Sequence, residues 1–363
     1  MKLLRNIFFS GLVIAACTAC SNDDADSKAK HPNAKLTIGV CTVDTNTKAY
    51  NPNDANELAG EANINNLAVL VFNEDGSDIL GWDWQSVRKE YTALLENVPV
   101  VAEKARIVIL ANVEEALIKS ATTYEDFQAR LAELSSQSTG SLTMSSEVIV
   151  TDTYLKIGEN YLGYADKGNE NINGISSPVL LTRIAARIDV AGIVTHFAGT
   201  PLAGRTVRID EISVRNQKTK SYYFSEADWG KVEAPGNVGN SDATLFENTL
   251  VSDKDSISTT SYIHYVMENL SGESPTQLVV KATLLASGNE KEQTKTFTAV
   301  INANGTNKGY KHNFIKRNYV YRLHLSFDGN SFEITTPPES VGNLNVAVEV
   351  RAWGVVNQDV VID

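Results

Sequence analysis

An all-β chain, two antiparallel β-sandwiches in tandem behind an export segment, is the architecture this sequence predicts. Apolar and polar residues alternate over many short stretches, and Gly, Asn, Asp and Pro punctuate them. The length of 363 residues is enough for two ordinary domains.

The export segment is residues 1–19. Lys2 and Arg5 precede an apolar run, Ile7 to Ala19, that is too short to span a bilayer and ends among small residues and cysteines. A cysteine behind small residues is the acylation pattern of a bacterial lipoprotein. Cys17 follows Ile14-Ala15-Ala16, and Cys20 follows Cys17-Thr18-Ala19. Cys20 is the preferred lipidation site, acylated with palmitate, because the polar tether Ser21-Asn22-Asp23-Asp24 comes directly after it; Cys17 is the alternative. Removing residues 1–19 takes away Lys2 and Arg5, so a net charge of −12 becomes −14. With 44 acidic against 32 basic residues and no basic cluster, nucleic acid is not expected as a partner.

Residues 20–35 read as a flexible tether. The first domain is expected over 36–183, starting with the alternating strand Leu36 to Val43 with one face buried. Further strands are expected at Leu67 to Phe72, Ala105 to Ala111 and Val148 to Ile157. Thr122 to Leu134 places Tyr124, Phe127, Leu131 and Leu134 at helical spacing behind a capping box of Thr122 and Glu125, which predicts an amphipathic helix. The polar stretch Gly158 to Pro178 leads into Val179 to Val194, with the domain boundary near Arg183. The second domain, 184–363, holds Val207 to Val214, Leu278 to Ala286, Phe297 to Ile301, Tyr319 to Phe327 and Leu344 to Val350, joined by turns such as Asn304-Gly305 and Asp328-Gly329.

Catalysis and cofactors find little material. His31, His196, His264, His312 and His324 are scattered, and no P-loop, GxGxxG, GxSxG or HExxH is present. Asp75-Gly76-Ser77-Asp78 reads as a hairpin turn rather than a calcium loop, since the further spaced oxygen ligands are missing. Trp82, Trp84, Tyr222, Tyr223, Phe224 and Trp229 could stack on sugars, but packing in a β core is the stronger reading. No enzyme, metal or cofactor is expected.

The two chain ends are more informative. The strand Leu36 to Val43 is followed by a polar loop holding Thr47-Lys48-Ala49-Tyr50, open to a trypsin-like protease. Near the C-terminus, Leu344, Val346, Val348 and Val350 alternate after the break Thr336-Pro337-Pro338, and the chain continues through Trp353, Val355 and Val356.

Over nearly its whole length the sequence resembles the major fimbrial subunit (FimA-type, type V pilin) proteins of Bacteroidetes. The resemblance rests on Thr18-Ala19-Cys20, Lys48-Ala49-Tyr50, Ile64 to Phe72, Val108 to Val113, Asn160-Tyr161-Leu162-Gly163-Tyr164, Arg183 to Ile188, Arg317-Asn318 before Tyr321 to Leu325, and Leu344-Asn345-Val346 through Trp353 to Gln358. It implies two transthyretin-like sandwiches and a lipoprotein precursor that is matured by proteolysis between Lys48 and Ala49. The strand carrying Leu36, Ile38 and Val40 would be released. A neighbour's donor strand, residues 344–361, with Leu344, Val346, Val348 and Val350 buried and the chain running on through Trp353, would fill the gap by β-strand addition. Such a head-to-tail contact yields a filament.

The implied partners are other copies of the chain, accessory fimbrial subunits, outer-membrane lipid through Cys20, a trypsin-like maturation protease, and a ligand on a host or bacterial surface. The implied role is a structural subunit of surface fimbriae supporting adhesion and biofilm. A fimbrial anchor or minor accessory subunit, and a glycan-binding surface lipoprotein, are the alternatives, and the intact donor strand argues against a tip subunit. Lys48 departs from the Arg of the best-known members, so either a lysine-tolerant protease acts or cleavage falls elsewhere.

Overall fold

The computed structural model describes residues 31–42, 58–224, 243–252, 257–258, 263–270, 273–303, 313–332 and 345–352. The N-terminal half opens with β1 (Ala34–Cys41), β2 (Asn63–Asn73), β3 (Ile79–Glu90), β4 (Thr92–Val100) and β5 (Ala105–Ala111). Two five-residue helices follow, α1 (Glu115–Lys119) and α2 (Tyr124–Gln128). The half closes with the short strands β6 (Leu131–Glu133), β7 (Met144–Ser145), β8 (Ile149–Val150), β9 (Gly158–Leu162), β10 (Val179–Leu180) and β11 (Thr182–Arg183).

One sheet has the order β10-β1-β4, with β9 also paired to β1; the other runs β11-β7-β5-β2-β3, with β8 paired to β5. Leu36, Ile38 and Val40 from the first sheet meet Leu67, Val69, Val71, Ile107 and Ile109 from the second in one core. The uninterrupted apolar runs of β2 and β5 have a second use. Ala68, Leu70, Phe72, Val108 and Leu110 point the other way and are covered by Ile118 of α1 and Phe127 of α2. Asp75-Gly76-Ser77-Asp78 forms the β2–β3 turn, closed by bonds from Gly76 N–H to the Asn73 carbonyl and from Asn73 N–H to the Asp78 carbonyl, each 3.0 Å.

The C-terminal half contains β12 (Ala185–His196), β13 (Thr206–Arg215), β14 (Lys220–Tyr222), β15 (Ala243–Ser252), β16 (Ile257–Ser258), β17 (Ile263–Met267), β18 (Gln277–Leu284), β19 (Gln293–Val300), β20 (Tyr319–Asp328) and β21 (Asn345–Ala352). Its sheets are β16-β12-β20-β21, with β17 on β12, and β15-β13-β18-β19. Ile188, Ile209, Val280, Leu323 and Leu325 pack between them, beside a cluster of Phe297, Phe327 and Phe332 rings.

A two-stranded ribbon, β6 with β14, ties the halves together. Tyr223 and Phe224 beyond it pack on Phe127, and the buried Arg317 holds that turn through the carbonyls of Tyr222 and Tyr223, the Ser221 hydroxyl and Glu268.

Several sequence expectations change. The helix predicted over Thr122 to Leu134 is one turn and a half, capped by Thr123 rather than Thr122, with the Thr123 hydroxyl accepting from Asp126 N–H at 3.1 Å. It stops because Leu131–Glu133 is taken into the ribbon with β14, a tertiary pairing that overrides local propensity. Val148 to Ile157 contributes only the two residues of β8, and Tyr154 and Ile157 are exposed. Val179 to Val194 divides into β10, β11 and β12. Most pairings are antiparallel, but β1 runs parallel to β9 and β10, and β12 parallel to β20. β4, β15 and β17 were not foreseen as strands, and β3 only through the alternation of Trp82 and Trp84. The Asn304-Gly305 turn lies outside the described residues.

Candidate strand-exchange site

β1 was expected to bury one face; it buries both. The strand is the middle of its sheet, with β4 hydrogen-bonded along one edge and β9 and β10 along the other. Leu36 and Ile38 are fully buried and Val40 almost so, while Thr37 and Cys41 on the opposite face are also covered. Three inward side chains of this size contribute roughly 5–9 kcal/mol in gross burial, with two ladders of backbone hydrogen bonds in addition. Removing β1 would expose both neighbouring edges and open an apolar trough, a strong template for another strand.

The slot has fixed contours. Opposite Leu36 and Ile38, β4 bulges, with Asn97 at φ +58°. Asn97 N–H reaches toward the Thr37 hydroxyl at 3.4 Å. The Cys41 thiol points to the Pro178 carbonyl at 3.6 Å. At the strand's centre Gly39 passes Gly163 so closely that neither has room for a Cβ. A cleft of about 660 Å3 lies alongside, lined by Gly39, Leu94, Gly163 and Tyr164 among others.

Chain leaving β1 passes through residues 43–57, which hold Lys48 and Ala49 and lie outside the described residues, as do Cys17 and Cys20. The chain returns at Leu58 and is clamped at Glu61. Its carboxylate accepts from Leu58 N–H at 2.8 Å, from the Tyr265 hydroxyl at 2.7 Å and from Arg187, and its carbonyl accepts from Arg183 Nε at 3.1 Å. Arg187 also holds Asp189 through Nε at 2.7 Å. Burial works against the Arg187 charge, but the hydrogen bonds and charges of Asp189 and Glu61 outweigh it and hold its pKa above the usual arginine value. Burial, with the Glu61 charge beside it, pushes the Tyr265 hydroxyl up, so it stays a donor. Glu61 comes from the N-terminal half and Arg187, Asp189 and Tyr265 from the C-terminal half, so this knot fixes the chain just after Leu58 to both. Sequence reading missed it; the one signal was charge inside the apolar alternation at Arg187 and Asp189.

The proposed donor strand is present as β21, but here it pairs with its own domain. Val346, Val348 and Val350 stand opposite Leu325, Leu323 and Tyr321 of β20, and β21 is the outermost strand of its sheet. Leu344 and Trp353 lie outside the described residues.

Other candidates have structural places. Trp82 and Trp84 are half-buried against the outer core, and Trp84 Nε1–H donates to the Val113 carbonyl at 2.8 Å. Tyr223 and Phe224 pack into the same core; Trp229 lies outside the described residues. His31, His196 and His324 are exposed. His264 Nε2 lies 2.6 Å from the Gln217 Oε1, and burial pushes its pKa down to about 4. Among the described residues no group of three or more His, Cys, Asp or Glu is placed to hold a metal ion.

Two family profiles match this chain. Residues 34–183 match the profile of the major fimbrial subunit protein (FimA), and residues 184–353 that of the fimbrium tip subunit Fim1C-like C-terminal domain. A protein of Parabacteroides distasonis, provisionally named fimbrium tip subunit Fim1C, is 55% identical over 376 residues, covering all of both chains. The chain belongs to the FimA/Fim1C family of fimbrial subunits. Its members are structural subunits of fimbriae rather than enzymes. Major fimbrium subunit FimA type-3 of Porphyromonas gingivalis is 26% identical over 412 residues, covering 98% of each chain. A crystal structure from P. distasonis, provisionally described as a cell adhesion protein, superposes with a TM-score of 0.81 at 56% identity, over 90% of this chain and 99% of that one. A fimbrilin of P. gingivalis shares the fold, with a TM-score of 0.61 at 19% identity, over 90% of this chain and 99% of that one. As a fimbrial subunit this chain has a cell-surface location and fimbrial subunits as its assembly partners.

Proposed function

We propose that this fimbrial subunit caps a filament: it accepts a neighbour's strand in the β1 slot and keeps its own C-terminal strand at home. The observation that carries the reading is the contrast between the two strands. β1 lies at the centre of its sheet, buried on both faces, and Lys48 follows it in sequence, whereas β21 is seated on β20. In a head-to-tail chain, a subunit that accepts without donating ends the polymer. The name of the 55% identical relative supports the same position, whereas the intact donor strand in the sequence argues against a tip.

In this reading the precursor is exported, acylated at Cys20 and held at the outer membrane until cleavage between Lys48 and Ala49 cuts the tether. The tip then meets a host or bacterial surface ligand and supports adhesion and biofilm. A shaft role is the second reading, favoured by the edge position of β21, which among the described residues is bonded to β20 alone and is detachable without breaking another pairing. Immunogold labelling of intact fimbriae separates the two. Label confined to distal ends supports the tip, label along the shaft makes β21 a donor, and label absent from fimbriae contradicts both.

A further inference from the structure

Among the described residues the exposed large apolar side chains all belong to the N-terminal half: Leu94 (43%), Val150 (43%), Tyr154 (67%), Ile157 (79%) and Leu180 (38%). Leu94 and Leu180 stand on strands that flank β1. Val150, Tyr154 and Ile157 gather at one pole of the half, where β1 begins. Hydrogen bonds place them there. Asn33 N–H donates to the Val100 carbonyl at 3.1 Å, Gly158 N–H to the Asn33 carbonyl at 3.3 Å, and Leu155 N–H to the Glu103 carbonyl at 3.0 Å.

The segment that carries the three is braced. Asn173 accepts from Asp152 N–H at 2.9 Å and donates to the Val150 carbonyl at 2.7 Å. Asn160 does the same for both backbone groups of Lys156, at 2.8 Å each. Apolar side chains held out to water on a fixed backbone mark a contact surface.

The composition around the pole narrows what covers it. The chain's own tether does not suit, because residues 21–31 contain no apolar side chain larger than alanine. A lipid surface suits poorly, because the pole offers no basic excess: Glu74, Asp75, Glu103, Asp152 and Glu159 stand among Lys35, Lys104, Arg106 and Lys156, with Lys104 paired to Glu74, Lys35 to Glu159 and Arg106 bonded to the Glu74 carbonyl. What remains is continuous with the slot itself, since Gly158, next to Ile157, pairs with Ala34, the first residue of β1.

We propose that this pole seats the body of the adjoining fimbrial subunit, the one whose strand fills the β1 slot. The inference rests on the strand-exchange reading above. It adds a direction. A strand arriving from a body on this pole enters beside Ala34 and runs toward Cys41, the way β1 runs, antiparallel to β4 and parallel to β9 and β10.

The test is made in the bacterium that carries the protein, with a photo-crosslinking amino acid at Tyr154, at Ile157 and, as a distant control, at Glu290. Adducts to a fimbrial subunit from the first two positions alone are expected. Ile157→Thr, at a site too exposed to affect folding, is expected to lower recovery of the chain in sheared fimbriae at least tenfold with surface display unchanged. Adducts to lipid, or no adducts together with unchanged recovery of Ile157→Thr, overturn the docking face while leaving strand exchange intact. Absence of the wild-type chain from sheared fimbriae overturns strand exchange and the docking face together.

Discussion

Gly39 and Gly163 are mutually exclusive of side chains: a Cβ on Gly39 would lie 2.4 Å from the Gly163 carbonyl oxygen, and a Cβ on Gly163 2.5 Å from that of Gly39. Both obstacles are backbone atoms, which cannot swing aside. Gly39→Ala is therefore expected to destabilise the N-terminal half by about 1–3 kcal/mol, as overpacking in a filled site does. Gly163→Ala adds a left-handed backbone, at φ +72°, and is expected to cost more. Urea denaturation checks both. A strand that replaces β1 meets the same constraint at this position, so the glycine pair also tests which register an incoming strand takes.

The knot at Glu61 makes a second prediction. Glu61→Gln leaves the buried Arg187 held by Asp189 alone of its two carboxylates, and weakening a buried charged hydrogen bond in this way costs roughly 1–3 kcal/mol. Because Glu61 also holds the chain where it returns from residues 43–57, proteolysis of Glu61→Gln is expected to extend past Lys48 toward Leu58. The wild-type chain is expected to resist beyond residues 43–57, and limited digestion with mass readout distinguishes the two patterns.

His264 provides the pH dependence. Its folded pKa, pushed down to about 4 by burial, lies below the ordinary 6.5. The unfolded chain thus binds a proton between those values that the folded chain does not, and stability falls as pH drops from 6.5 to 4. The loss approaches roughly 3 kcal/mol at the lower end. In His264→Gln this part of the fall is expected to vanish in denaturation curves taken at pH 7 and pH 4.5.

Much of the strand framework was legible because alternation and punctuation are local signals. Ala105 to Ala111 matches β5 residue for residue, and His324 is the exposed position between the buried Leu323 and Leu325. What failed depended on distant partners. Leu131 has helical spacing from Phe127, yet belongs to a strand because Tyr222 lies opposite. β3 shows in the sequence only as the alternating Trp82 and Trp84, because Gly81 and a polar stretch disguise its length, and Gly81 is needed because the Pro99 carbonyl lies 2.3 Å from where its Cβ would be. The candidate strand was legible as Leu36, Ile38 and Val40, but not its central place between β4 and β9, which depends on pairings 60 to 125 residues apart such as Asn97 with Thr37 and Asn160 with Lys35.

Detachability of β1 is tested most directly by exchange. The precursor without residues 1–20 is treated with trypsin, the new N-terminus is read by mass, and an isotopically labelled peptide of residues 32–43 is added. Cleavage after Lys48, followed by uptake of the labelled strand into the cleaved protein and none into the uncleaved protein, is the expected result. A cleaved protein that keeps its original strand until the whole domain unfolds, with no label taken up, would contradict strand exchange in this fimbrial subunit.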